Sequence, residues 1–257
     1  MFALIFPYLQ PVQLRWQTAI LIYPVLSFIG VGITRFLPNQ PPATRQEHAL
    51  VNREKSLGVA LLSAIAFFQL FSLTAGEAWL PTFFGNRFSM SASISGLLSS
   101  LSSIVLVDVA IFTSYLLDTW PASTRMMALG CIMTALGYSG LLADASLGLA
   151  IVSPISLGLG LALFLPAITS ASIDLLGPKR SGVSSGITGT AAQIGATLSG
   201  VVVGWLLDLT GRLGVAWVVC ITLSTFAFGL LCALQYATRR EKKRRIASPQ
   251  FNRTNSW

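Results

Sequence analysis

One histidine and three cysteines are all the imidazole and thiol chemistry this chain has. Cys131, Cys220 and Cys232 lie far apart inside apolar runs, without metal-ligand spacing, and buried cysteine acts as a small apolar residue. The histidine, His48, falls in a polar segment. Intramembrane Ser–His proteolysis and His-ligated metal chemistry both need a buried histidine, so neither is expected. No glycine-rich loop ends in Gly-Lys-Ser or Gly-Lys-Thr, so nothing supports ATP-driven transport by this chain. The expectation is a protein that is not an enzyme, with no cofactor and no metal site.

Charge is scarce too. Only 10% of the 257 residues are charged and 53% are hydrophobic, with mean hydropathy +0.71. A water-soluble domain is about a quarter charged. Such a chain has too little polar surface for water, and its expected partner is a lipid bilayer. The net charge of +8 does not read as nucleic-acid binding, because the basic residues sit outside the apolar runs rather than on one folded face.

What the chain has instead is seven long apolar stretches: Trp16–Leu37, Gly58–Phe84, Gly96–Leu117, Met126–Ala143, Gly148–Ser172, Val183–Leu207 and Leu213–Tyr236. About 20 apolar residues cross the hydrocarbon core as a helix. The fold class expected is all-α, a polytopic bundle of transmembrane helices. Lys and Arg fall in alternate gaps. Arg35, Arg45, Arg53, Lys55, Arg125, Lys179, Arg180 and seven tail residues lie on one side; Arg15, Arg87 and Arg212 lie on the other, completing all 17. The positive-inside rule places the richer side, with the C-terminus, in the cytoplasm. The expected location is the plasma or inner membrane. The tail from Thr238 is expected to be disordered and to lie beside an anionic leaflet.

Met1–Pro11 is apolar but has no basic n-region or small-residue cleavage pattern, so it does not read as a signal peptide. As a helix it would be about 16 Å long, too short to cross. It is expected to be the outer end of a helix whose first half is missing, or else a short interfacial anchor.

The order of features resembles the major facilitator superfamily. Pro7-Tyr8-Leu9, Leu14-Arg15-Trp16 and Phe36-Leu37-Pro38 are similar to the end of that family's fifth helix and to its sixth helix. Trp79-Leu80-Pro81-Thr82 resembles the outer end of helix seven, and Gly177-Pro178-Lys179-Arg180-Ser181-Gly182 the entry to helix eleven. The resemblance implies four segments: a fifth-helix remnant and sixth helix (1–37), a cytoplasmic central linker (38–57), the C-terminal six-helix half (58–237) and a basic tail (238–257). The family's cytoplasmic loop motif runs glycine, three residues, aspartate, two residues, Gly-Arg. Here Ser114, Asp118, Pro121 and Ala122 stand in those places, so only Asp118 survives, with Arg125 nearby. Gly204, Asp208 and Gly211-Arg212 keep the spacing better, but charge places them outside, and they read as a helix end with a turn.

An ionisable residue inside a span costs about 2.5–3.5 kcal/mol on insertion scales and is a functional candidate by default. Asp108 is the one acid clearly deep in a span, about 15 Å from the inner surface at about 1.5 Å per residue. It reads as a proton-coupling or cation-binding carboxylate, or as a neutral acid bonded to a neighbouring helix. Glu77 lies near the outer end of its span, on a broad face with Gln69, Ser72 and Gly76, as a vestibule ligand or a solvated interfacial acid. Gln193 is deep and must find hydrogen-bond partners, in a solute or in another helix. Pro154, Gly158, Gly160 and Pro166 could interrupt the fifth span, as in helices that line transporter sites. The serines of the third span read as small residues for close packing, as does Gly200-x3-Gly204.

With no Lys, Arg or His inside a span, the substrate leans to a small neutral or cationic solute moved with protons. The leading expectation is a secondary active transporter working by alternating access, as symporter or antiporter. The opposite wall of its site would come from a missing N-terminal half or a second copy. The alternative is a non-transporting membrane protein, a truncated pseudo-transporter or an assembly or sensor partner.

Overall fold

The structure is a computed structural model that describes residues 53–119, 122–143, 146–177 and 180–247. The chain divides into two compact units, Met1–Asn52 and Arg53–Trp257, and every described residue belongs to the second. The first expected span, Trp16–Leu37, and the segment Met1–Pro11 lie outside the described residues.

Six helices are described: α1 (Arg53–Phe88), α2 (Ala92–Thr119), α3 (Ser123–Leu142), α4 (Leu147–Leu176), α5 (Ser181–Thr210) and α6 (Leu213–Ala247). All six are long and apolar enough to cross a membrane. Helix is the economical answer for such runs, because hydrocarbon offers no partner for a free N–H or carbonyl. Each remaining expected span falls within one helix, apart from Ala143, which follows the end of α3. The stops have local causes. Ser89 takes φ 51° after α1, and Gly177 takes φ 82° after α4. Gly211 takes φ 65° after α5, its N–H donating to the Leu207 carbonyl at 2.7 Å. Gly204–Arg212 is thus a helix end with a turn.

Two expected boundaries move. Residues 53–57 of the expected linker are already the first turn of α1, and α6 continues to Ala247 instead of giving way to a disordered tail at Thr238. Arg, Glu and Lys are good helix formers, and extending an existing helix avoids the nucleation cost.

The packing defines two repeats. The most extensive contacts join α3 to α4, α1 to α5 and α2 to α4, followed by α6 with α3 and α1. Exchanging α1–α3 for α4–α6 leaves this pattern the same in kind. The second helix of each repeat leaves its own first helix and packs on the first helix of the other. Because each repeat has three spans, the second enters from the opposite side of the membrane, which makes the repeats inverted.

Glycines set the closest crossings. A Cβ on Gly195 of α5 would run into the Phe67 carbonyl oxygen of α1, and one on Gly158 of α4 into the Ser102 carbonyl of α2. The serine stripe of α2, with Ser95, Ser99 and Ser102, is buried: Ser102 meets α4 at Gly158, and Ser95 lies beside Gly85 of α1. Among the described residues, a Cβ on Gly200 meets nothing within 4 Å and one on Gly204 has only ordinary contact with the Trp79 ring, so the expected Gly200–Gly204 motif makes no close crossing between the described helices. The inward face of α5 is Ser184, Thr188, Gly195, Ser199 and Val203, and Gly200 is turned about 100° from Ser199.

Two apolar clusters fill the bundle. One gathers Leu62, Ile65, Met127, Cys131, Phe164 and Leu231; the other gathers Leu80, Phe84, Tyr138, Leu157, Trp217 and Cys220. Between them lies a buried polar layer of Gln69, Ser72, Thr134 and Ser224.

Candidate functional site

Gln69 belongs to that polar layer. Its Nε2 donates to Thr134 Oγ1 of α3 at 2.8 Å, and its Oε1 accepts from Ser224 Oγ of α6 at 2.9 Å. Ser224 Oγ also lies 3.1 Å from the Cys131 carbonyl, and Thr134 Oγ1 donates to the Gly130 carbonyl at 2.9 Å. Beside it, Ser72 Oγ donates to the Cys220 carbonyl at 3.0 Å, and the Tyr138 hydroxyl donates to the Ser72 carbonyl. The amide of Gln69 therefore ties α1 to α3 and α6. Gln69→Leu is expected to lower stability by about 0.6–1.7 kcal/mol, the range for interhelical hydrogen bonds in a membrane. Thr134 and Ser224 keep their backbone partners, which limits the loss. Thermal unfolding in detergent measures it.

Glu77 does not share that environment. Gln69, Ser72 and Gly76 are buried, whereas Glu77, one residue further round the helix, is exposed. A Cβ on Gly76 would stand 2.8 Å from the Tyr138 hydroxyl.

The most open helices are α2 and α5, with 22% and 17% of their apolar windows buried against 33–56% in the other four. They are the equivalent second helices of the two repeats. Asp108 is exposed on α2 within an apolar stripe of Ile104, Val107, Ile111, Phe112 and Tyr115. On α5 two stripes run side by side. Val183, Ile187, Ile194, Val201 and Trp205 form an exposed apolar one. Gly186, Gly189, Thr190, Gln193 and Thr197 form an exposed small and polar one, turned about 90° from it, and line an open concavity of about 590 Å³. Lipid suits the first stripe but not the second, because an amide in hydrocarbon lacks partners.

A second open groove, about 520 Å³, lies between α2 and α4 at the end of the bundle that carries Arg125 and Arg180. Asp118 and Asp174 line it with Ser114, Pro166, Thr169 and Ser170. Asp174 is a polar group that the sequence reading did not single out. It follows the expected end of its span by two residues, and only the packing of α2 on α4 brings it to Asp118. Arg125 is exposed near the start of α3.

The helix-breaking set is divided. α4 runs unbroken from Leu147 to Leu176 through both prolines. Pro154 is buried and Pro166 borders the groove. Gly158 admits α2, whereas Gly160, about 200° further round, faces Thr134 and the Gly130 carbonyl of α3. Both glycines serve helix crossings. Asp108 and Gln193 are on open faces, Gln69 is inside the bundle, and Glu77 is exposed on α1.

Inverted three-helix repeats, with charge and amide groups on open faces, define a polytopic membrane protein of the transporter class. The family model described as Major Facilitator Superfamily matches residues 1–200. The chain belongs to the major facilitator superfamily and is a membrane transporter of that family. No curated protein matches it.

Proposed function

We propose that this chain is a secondary active transporter that moves a small neutral or cationic solute, coupled to protons through Asp108. The observation that carries the reading is the placement of Asp108 and Gln193 on the open faces of α2 and α5. A carboxylate in a span costs about 2.5–3.5 kcal/mol. A face that carries one needs protein or water against it. That covering is a second helical bundle, and rocking of the two bundles exposes the site to each side in turn. The two open helices, α2 and α5, carry Asp108, Asp118 and Asp208 but no Lys or Arg, which favours cations and protons over anions along them.

In this reading Gln193 hydrogen-bonds the solute. Gln193→Ala is expected to raise the apparent KM by about 2- to 13-fold, the equivalent of one neutral hydrogen bond, with the maximal rate little changed. Uptake into proteoliposomes under an imposed pH gradient measures it. Gln69→Leu serves as the control, since its amide binds helices. Solute flux that ignores the pH gradient in the unmodified protein would refute the coupling.

A further inference from the structure

The last ten described residues of α6 are a strongly charged extension of a membrane helix. α6 is 35 residues long, about 52 Å at about 1.5 Å per residue, against about 30 Å of hydrocarbon. Its membrane-spanning part ends at Tyr236, so the helix overshoots by about 16 Å. Within the overshoot stand Arg239, Arg240, Lys242, Lys243, Arg244 and Arg245, opposed by Glu241 alone.

Two features of this placement select a partner. The first is depth. The headgroup layer occupies about 5–8 Å beyond the hydrocarbon, and a Debye length adds about 8 Å. The six basic positions lie within that reach, held by a helix continuous with the span. The second is angular spread. At about 100° per residue, the six positions leave no gap wider than about 100° around the axis, and Glu241 stands in that gap. A protein partner docks on one side of a helix and needs a stripe. A ring of charge fits a medium that surrounds the helix.

We infer that the α6 extension is a binding collar for anionic phospholipid headgroups in the leaflet at its C-terminal end. The inference depends on the chain being membrane-embedded and not on proton coupling or on which side the tail faces.

The full chain reconstituted in nanodiscs tests it, with spin-labelled phosphatidylglycerol and spin-labelled phosphatidylcholine as probes of the lipid held at the protein surface. Both leaflets then have one composition, so orientation does not enter. Unmodified protein is expected to hold phosphatidylglycerol about fivefold more strongly at low salt, the equivalent of one charge at an anionic surface. High salt should reduce the preference. Replacing the six basic residues with glutamine keeps good helix formers and should remove it. Arg239→Gln with Lys242→Gln and Lys243→Gln should reduce it by an intermediate amount, which serves if the sixfold variant fails to fold. Equal association of both lipids, a preference that ignores salt, or one that survives in a folded glutamine variant would each overturn the inference.

Discussion

Asp108→Asn is expected to abolish proton-driven accumulation of the solute while leaving the chain folded. The side chain is exposed on α2, so the isosteric amide opens no cavity and breaks no core contact. What it removes is the proton. One proton moving down about 100 mV carries about 2.3 kcal/mol, which sustains about fiftyfold accumulation at one-to-one coupling. In proteoliposomes with an imposed gradient, the accumulation ratio should fall from that scale to unity, while exchange of labelled for unlabelled solute continues. Uphill accumulation that persists in Asp108→Asn would remove Asp108 from the coupling role. Glu77→Gln should alter the ratio far less, because Glu77 is on α1, the most buried of the six spans, and not on the open face of α2.

The second large effect is structural. Gly195→Leu should prevent the bundle from assembling. Even a Cβ at this position collides with the Phe67 carbonyl oxygen and stands 3.2 Å from the Phe67 Cα, and a main-chain atom cannot turn aside as a side chain does. Gly195→Ala alone should cost about 1–3 kcal/mol, as overpacking typically does, by pushing α5 away from α1. Gly158→Ala should cost a similar amount at the α2–α4 crossing, where Ser102 offers its main chain. The two crossings share no residue, so the costs should add. Gly200→Ala is the contrast: no described residue lies within 4 Å of the added Cβ, and alanine should be neutral or slightly stabilising in a helix. Thermal unfolding monitored by size-exclusion chromatography ranks the four variants. A Gly195→Ala protein as stable as Gly200→Ala would show that α1 and α5 do not meet at Gly195.

Residues that were readable in part show where sequence reasoning stops. The α2 serines read as a packing surface from the sequence, because small residues on one helical face let backbones approach closely, and they are buried in the bundle. Gln69 and Gln193 are both glutamines deep in apolar runs, and nothing local separates them. One is tied to α3 and α6, and the other lies on an open face. Gly200-x3-Gly204 had the better motif, yet Gly195 makes the crossing. Asp174 and Asp118 are 56 positions apart and meet at one groove.

The sequence alone determined that this is a helical membrane protein, where its six described spans lie, and which family it resembles. Hydrocarbon imposes a one-dimensional rule, about 20 apolar residues per crossing, and that rule is written along the chain. The tertiary structure alone decided which polar residues are spent inside the bundle, which glycine makes a crossing, and that α2 and α5 present the open faces. A soluble helix reveals its inward side by being apolar there and polar outside. In lipid both sides are apolar, so the helical period no longer separates core from surface. Only contact between helices distant in sequence can assign the faces.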